Sequence, residues 1–181
     1  MPQYPDPGRP LYCARCAAPL GEQERGGSIR PVCAECGWVY YAKNAIGAAV
    51  LIVAANSVLL VQRRDKPYRG FWMLPAGFVE YGERPEATAV REALEELGLT
   101  VALNGIVGAY FGDDDPRNVG VLLVYEATID KGELQPGDDA VAADFFRRGA
   151  LPQHIAFQAH RAALRDWQTG LSVRPGQRSS T

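Results

Sequence analysis

Cysteine is missing from everything after residue 36: all four cysteines of this 181-residue chain lie between positions 13 and 36. Any cross-link or thiolate metal site is therefore confined to that short segment. Long apolar runs are missing too. None reaches the roughly 18 residues of a membrane span, and the longest, Ala45 to Ala55, is interrupted by Gly47. Excess charge of either sign is lacking: 19 Lys and Arg face 21 Asp and Glu, for a net −2 and a pI near 5.7. That balance argues against nucleic acid as a partner, since broad electrostatic binding draws on a basic stripe. No internal repeat is present. The opening residues Met1-Pro2-Gln3-Tyr4-Pro5-Asp6 have neither the charged nor the apolar stretch of a secretory signal, so a cytoplasmic protein without a membrane segment is expected.

The four cysteines form two pairs, Cys13-Ala14-Arg15-Cys16 and Cys33-Ala34-Glu35-Cys36, separated by sixteen residues. Two Cys-x-x-Cys knuckles at this separation are what a closed tetrahedral Zn²⁺ ribbon needs. Two disulfides would require an oxidising compartment, and a redox-active Cys-x-x-Cys would require a thioredoxin-like βαβ context. Four thiolates leave no open coordination position, so Zn²⁺ held by Cys13, Cys16, Cys33 and Cys36 would be structural, stabilising a segment too small for its own core.

The second pattern runs from Gly77 to Leu99: Gly77, five residues, Glu83, seven residues, then Arg91-Glu92-Ala93-Leu94-Glu95-Glu96-Leu97-Gly98-Leu99. Pro85 suits a first helical turn, Glu86 suits the positive end of the helix dipole, and Gly98 suits a left-handed stop, which predicts a helix from Pro85 to Leu97. On that helix Glu92, Glu95 and Glu96 fall within a sector of roughly 100°, and Ala87, Val90, Leu94 and Leu97 lie near the opposite side. Like charges at these spacings repel. A solvated acidic face is one reading. The other is a hard divalent cation, Mg²⁺ or Mn²⁺, held by Glu92, Glu95 and Glu96, with Arg91 orienting carboxylates, Glu83 just before the helix, and the carbonyl of Gly77 near the metal from a loop.

This pattern resembles the signature of the Nudix hydrolases, with all seven non-aliphatic positions matched over the 23 residues from Gly77 to Leu99. Ala93 stands where the family more often has a larger aliphatic residue. Together with the cysteine pairs, Tyr40-Tyr41, Val58 to Arg64 and Gly70 to Glu80, the pattern is similar to Nudix hydrolases that carry an amino-terminal zinc ribbon. The resemblance implies an α/β/α sandwich with a mixed sheet, preceded by a small four-cysteine zinc ribbon. It also implies metal-dependent hydrolysis of the diphosphate bridge in a small-molecule nucleotide, FAD or ADP-ribose, that releases a nucleoside monophosphate. NADH pyrophosphatases carry a Ser-Gln-Pro-Trp-Pro-Phe-Pro block, whereas this chain has Phe111-Gly112-Asp113-Asp114-Asp115-Pro116-Arg117 in that region, which leaves NADH or an NAD cap as the alternative substrate. A ligand-sensing or nucleic-acid-binding regulator is the alternative of another class. All box glutamates are present and no basic helix-turn-helix-like extension is, which argues against it. A homodimer is the expectation that the resemblance carries, and no segment marks its interface.

The chain divides on composition into a flexible arm (1–10), the ribbon (11–42), the hydrolase domain (43–170) and a disordered tail (171–181). Strand-like runs are Ile46–Ala54, Ser57–Arg63, Phe71–Leu74, Leu103–Phe111, Val119–Ile129 and Ala142–Arg147, and a second helix spans about Ile155 to Gln168. The candidates for a general base are Glu92 and, since the resemblance implies that a later loop can supply one, the acidic pair Asp138 and Asp139, which also reads as a polar turn. Arg63 and Arg64 are candidates for phosphate, of which alternation aims at most one at a given face. Phe71 and Trp72 are candidates for stacking on a base, or are core. Arg117 reads as a partner of its neighbouring aspartates, and His160 as a packing residue on the face of Phe157, Leu164 and Trp167.

Overall fold

The structure, a computed structural model, describes residues 8–137 and 139–170. The arm before Gly8, Asp138 and the tail from residue 171 lie outside the described residues. The chain divides into two compact units between Asn44 and Ala45.

In the first unit β1 (Leu20–Arg25) and β2 (Ser28–Cys33) pair antiparallel from Leu20↔Cys33 to Arg25↔Ser28. Gly26 and Gly27 turn the hairpin at φ 62° and 75°, the left-handed pair that matches strand twist in a two-residue turn. Only Cys13, Pro31, Val32 and Cys33 are buried here among the described residues, too few to sustain a fold by apolar burial.

The second unit is a seven-stranded mixed sheet between two helices. Its strands are β3 (Ala45–Ala54), β4 (Ser57–Arg63), β5 (Trp72–Met73), β6 (Ala76–Phe78), β7 (Leu99–Asp115), β8 (Asn118–Gly132) and β9 (Ala140–Arg147). The order is β5-β4-β3-β8-β7, with β6 pairing β3 and β9 pairing β4; only β3 and β8 run parallel. Helix α1 (Pro85–Leu97) covers one face and α2 (Gln158–Thr169) the other. Because β3 is central, it is apolar on both sides: Ala48, Val50 and Ile52 pack with Ala89, Ala93 and Leu97 of α1, while Ala49 and Leu51 pack with Ala163, Leu164 and Trp167 of α2. Among the described residues no helix is long and apolar enough to cross a membrane.

Three expectations need correcting. Gly77 lies in strand β6 opposite Ala48, not in a loop. The strands β7 and β8 extend well beyond the runs expected, because register shifts along their pairing and glycines at 105, 108 and 112 break the alternation that marks a strand. Leu94 and Ala87, expected on the packed side of α1, are exposed, while Thr88, Ala89, Ala93, Glu96 and Leu97 are buried. The acidic sector is turned partly into the protein.

Candidate metal and catalytic site

That inward turn is made possible by the backbone of β6. The Ala76 N–H donates to Glu96 Oε2 at 3.0 Å, giving a carboxyl that is 1% exposed a partner inside the sandwich. Gly77 supplies the second opening: a Cβ there would stand 1.9 Å from Glu92 Oε1, so only glycine lets the Glu92 carboxylate lie against this strand.

Arg91 organises the remaining oxygens. Its guanidinium takes Glu83 in a fork, Nε to Oε1 at 3.0 Å and Nη2 to Oε2 at 3.2 Å, while Nη1 reaches Glu92 Oε1 at 2.7 Å and Glu95 Oε2 at 2.8 Å. The Thr88 hydroxyl and the Glu80 N–H also donate to Glu83, at 2.7 and 3.2 Å. Arg91, then Thr88 and Glu80, hold the Glu83 carboxyl down at about 2. The other carboxyls move the opposite way. Burial, followed by Asp139, pushes Glu96 up to about 9 against the pull of the Ala76 N–H, and burial also raises Glu92. Carboxyls raised by burial in this way are ones that a hard cation fits, since a bound cation reverses this pKa logic.

Asp139 reaches the cluster through the segment after β8. The Gln135 and Gly137 N–H groups donate to the Leu97 and Glu96 carbonyls at 2.9 and 3.1 Å, capping the end of α1. This docking brings the Asp139 carboxyl close enough to Glu96 to help raise it. Glu83, Arg91, Glu92, Glu95, Glu96, Gly77 and Asp139 therefore lie together.

A pocket of ≈ 130 Å³ opens on the other side of β6, with Gly77 in its wall. Met73, Phe78, Val121, Leu122 and Phe157 supply apolar surface, and Arg63, Asp114, Asp115, Arg117, Asn118 and His160 supply polar groups. Arg63 is buried, with Nε donating to the Pro67 carbonyl at 3.0 Å and Nη1 against Met73 Sδ at 3.4 Å, and it makes no ion pair among the described residues. Burial lowers its pKa. Arg64 is exposed and pairs with Asp65 at 3.3 Å. Phe71 packs on Tyr68 and His154, and Trp72 stands edge-on to Phe146; neither lines the pocket. Arg117 is held by Asp115 at 2.8 Å.

Sequence reasoning missed Asp114 and Phe157. Asp114 accepts from the Gln158 N–H at 2.8 Å and from Arg161 Nη2 at 2.6 Å, capping α2 from across the fold. Phe157 sits at φ 52°, a conformation that bulky residues avoid, with the Arg63 guanidinium 4.9 Å from its ring. Neither has a local signal, because both depend on partners more than forty residues away.

The four cysteines of the first unit are free thiols whose sulfurs all lie within 4.8 Å of one another. The pairs Cys13/Cys36 and Cys16/Cys33 stand at 3.5 Å, close to the edge of about 3.8 Å that four ligands at Zn–S distance make. Although burial opposes it, the Arg15 and Cys16 N–H groups hold the Cys13 thiol down at about 7, while, despite backbone N–H bonds, neighbouring sulfurs push Cys16 up to about 12 and raise Cys36, a crowding of thiols that a bound cation would relieve. The donor set and its geometry fit zinc.

A family model described as NUDIX domain matches residues 43–168. The chain belongs to the NUDIX family. An ADP-ribose pyrophosphatase of Methanocaldococcus jannaschii is 37% identical over 134 residues, which cover 72% of this chain and 78% of that protein. The NAD-capped RNA hydrolase NudC of Pseudomonas aeruginosa is 30% identical over 142 residues, 78% of this chain and 49% of that protein, so the chain spans about half the length of this relative. The crystal structure of a NUDIX hydrolase from Nitrosomonas europaea superposes with a TM-score of 0.77 at 27% identity, covering 87% of this chain and 90% of that one. The glutamate helix and the pocket both fall inside the NUDIX match.

Proposed function

We propose that this NUDIX hydrolase cleaves the diphosphate bridge of a nucleoside diphosphate joined to another moiety, ADP-ribose or FAD, releasing a nucleoside monophosphate and a phosphorylated remainder. The observation that carries the reading is the shared wall at Gly77, which sets an apolar pocket with a buried Arg63, free of any carboxylate partner among the described residues, directly against the carboxylate cluster. In this reading a ring occupies the pocket and the diphosphate extends past β6 to the glutamates.

In this reading Glu92, Glu95 and Glu96 would hold Mg²⁺ or Mn²⁺, which would supply charge neutralisation and an acidified water. Arg91 keeps the carboxylates oriented and Glu83 keeps Arg91 in place. Arg63 offers its remaining N–H groups to phosphate or carbonyl oxygen. Glu92 or Asp139 takes the proton from the attacking water, whose oxygen bonds to one phosphorus as the bridging oxygen departs on the other. The ribbon binds Zn²⁺ structurally.

The test is kcat/KM of the zinc-loaded protein with Mg²⁺ against ADP-ribose, FAD, NADH and nucleoside triphosphates, following monophosphate or pyrophosphate release. A clear preference for ADP-ribose or FAD is expected. Preference for NADH moves the reading towards the relatives named NAD-capped RNA hydrolases, and turnover of triphosphates alone overturns the substrate class.

A further inference from the structure

A second recess, of ≈ 620 Å³, opens beside the pocket and shares Arg117 with it. Its other lining residues are Lys66, Pro67, Tyr68, Arg69 and Pro116, so three of the six are cations and none is acidic. Arg117 is already gripped: Asp115 accepts from its Nε at 2.9 Å and from Nη2 at 2.8 Å, which fixes the guanidinium and leaves Nη1 unengaged among the described residues. Lys66 and Arg69 form no ion pair among the described residues, although the neighbouring Arg64 pairs with Asp65. Two uncompensated charges therefore share one concave surface with a third cation. Like charges so placed repel, and a cleft lined by one sign of charge concentrates ions of the other.

The backbone that carries these charges is pinned. The Gly70 N–H donates to the Arg63 carbonyl at 2.9 Å, the Phe71 N–H to the Tyr68 carbonyl at 3.0 Å, and Arg63 Nε to the Pro67 carbonyl at 3.0 Å. The Tyr68 hydroxyl reaches β7 and donates to Asp114 at 3.2 Å. Tyr68 is thereby kept at φ 62°, a conformation that bulky residues avoid. Strain held in place by several bonds is common where a binding surface is preorganised.

The diphosphate-bridge reading, on which the identity of the ligand rests, narrows the anion. The diphosphate belongs to the carboxylate cluster, which lies across Gly77 in β6, whereas Arg117 stands at the turn between β7 and β8, at another wall of the pocket. The recess therefore meets a further anion on the same ligand, and a nucleoside carries further phosphates on its ribose hydroxyls. Phosphate suits the donors, since a guanidinium gives it directed bonds and an ammonium a compact charge. We propose that Lys66, Arg69 and Arg117 form a subsite for a phosphate on the ribose of the nucleotide substrate, separate from the diphosphate that is cleaved.

The experiment compares ADP-ribose with the derivatives that carry a phosphate on the 2′ or the 3′ hydroxyl of the adenosine, in the wild type, in Lys66→Gln/Arg69→Gln and in Arg69→Glu. Both side chains are exposed, so these variants should fold as the wild type does. The wild type should favour one phosphorylated derivative by about tenfold in kcat/KM, mainly through KM. The double variant should bring that ratio to within about twofold, Arg69→Glu should lower it at least as far, and raising the salt from about 0.05 to about 0.5 M should shrink it in the wild type. No preference in the wild type overturns the proposal, as does a preference that both variants keep. Equal losses on all three compounds overturn it as well, because the recess would then serve the diphosphate. Should the wild type hydrolyse none of them, the diphosphate reading fails on its own, and calorimetric binding decides the subsite. Tighter binding of adenosine 2′,5′- or 3′,5′-bisphosphate than of AMP, with that margin lost in the double variant, supports it; equal binding of all three by the wild type refutes it.

Discussion

The ribbon and the glutamate helix each gather four acidic donors, and they do so in opposite ways. In the ribbon the four sulfurs converge on one point, all within 4.8 Å of one another. On the helix the carboxylates are spread around the guanidinium of Arg91, which bonds Glu83, Glu92 and Glu95, while Glu96 is held by the β6 backbone. A convergent set is saturated by one tetrahedral ion and has nothing left for substrate. A spread set leaves lone pairs and room for water. The energetics follow the same division: four buried residues cannot hold the ribbon together, whereas the NUDIX unit has apolar layers on both sheet faces and can bear the cost of a buried Glu96.

The sharpest break of this comparison is Glu95→Gln. The Glu95 side chain is 41% exposed and among the described residues pairs only with Arg91, so its loss should leave the thermal midpoint nearly unchanged. Removing one anionic donor from the spread set should nonetheless lower kcat roughly a hundred- to a thousandfold. Mg²⁺ titration of activity in both proteins checks it; a variant within a few-fold of wild type takes Glu95 out of the metal site.

Removing zinc tests the other half. A chelator should release one zinc per chain and make all four thiols reactive, and amide exchange protection across β1 and β2 should then fall to that of an unfolded peptide. Protection in β3, β8 and α1 should persist, since those elements have their own core. Retained protection in the stripped ribbon would mean that four buried residues suffice after all.

What the sequence revealed divides along the same line. The donors were legible because metal chemistry fixes their spacing: knuckles of two, and glutamates three and four apart on a helix that does run from Pro85 to Leu97 and stop at a left-handed Gly98, φ 69°. Which way those glutamates face was not legible. Helical periodicity placed Leu94 inward, and the structure turns Glu96 inward instead, because the bond from Ala76 and the absent side chain of Gly77 come from a strand that is distant in sequence terms and only three residues long. The pocket was harder still. His160 read as packing by the company it keeps on α2 and is buried there, but its place in the pocket wall shows only once β7, β8 and the Phe157 turn close around it.

The smallest effect lies within the ribbon, where the two knuckles are near copies. The Ala17 N–H donates to the Cys13 carbonyl at 2.9 Å and the Gly37 N–H to the Cys33 carbonyl at 3.0 Å; Cys13 and Cys33 donate in turn to the Ala18 and Trp38 carbonyls, both at 2.8 Å. Each knuckle closes through a left-handed residue, at φ 60° for Ala17 and 72° for Gly37. A side chain in that conformation costs about 1–2 kcal/mol, of which a glycine gives back roughly 0.4–1 through its freer unfolded chain. Ala17→Gly should therefore stabilise the zinc-bound ribbon by between zero and about 1.6 kcal/mol, raising the chelator concentration that strips half the zinc by up to about fifteenfold. Gly37→Ala should lower it by a similar factor. Opposite signs from the two substitutions are required if the backbone turn sets the cost. Were both changes to weaken zinc binding, the Ala17 methyl would be contributing packing that outweighs its strain, and the two knuckles would not be equivalent.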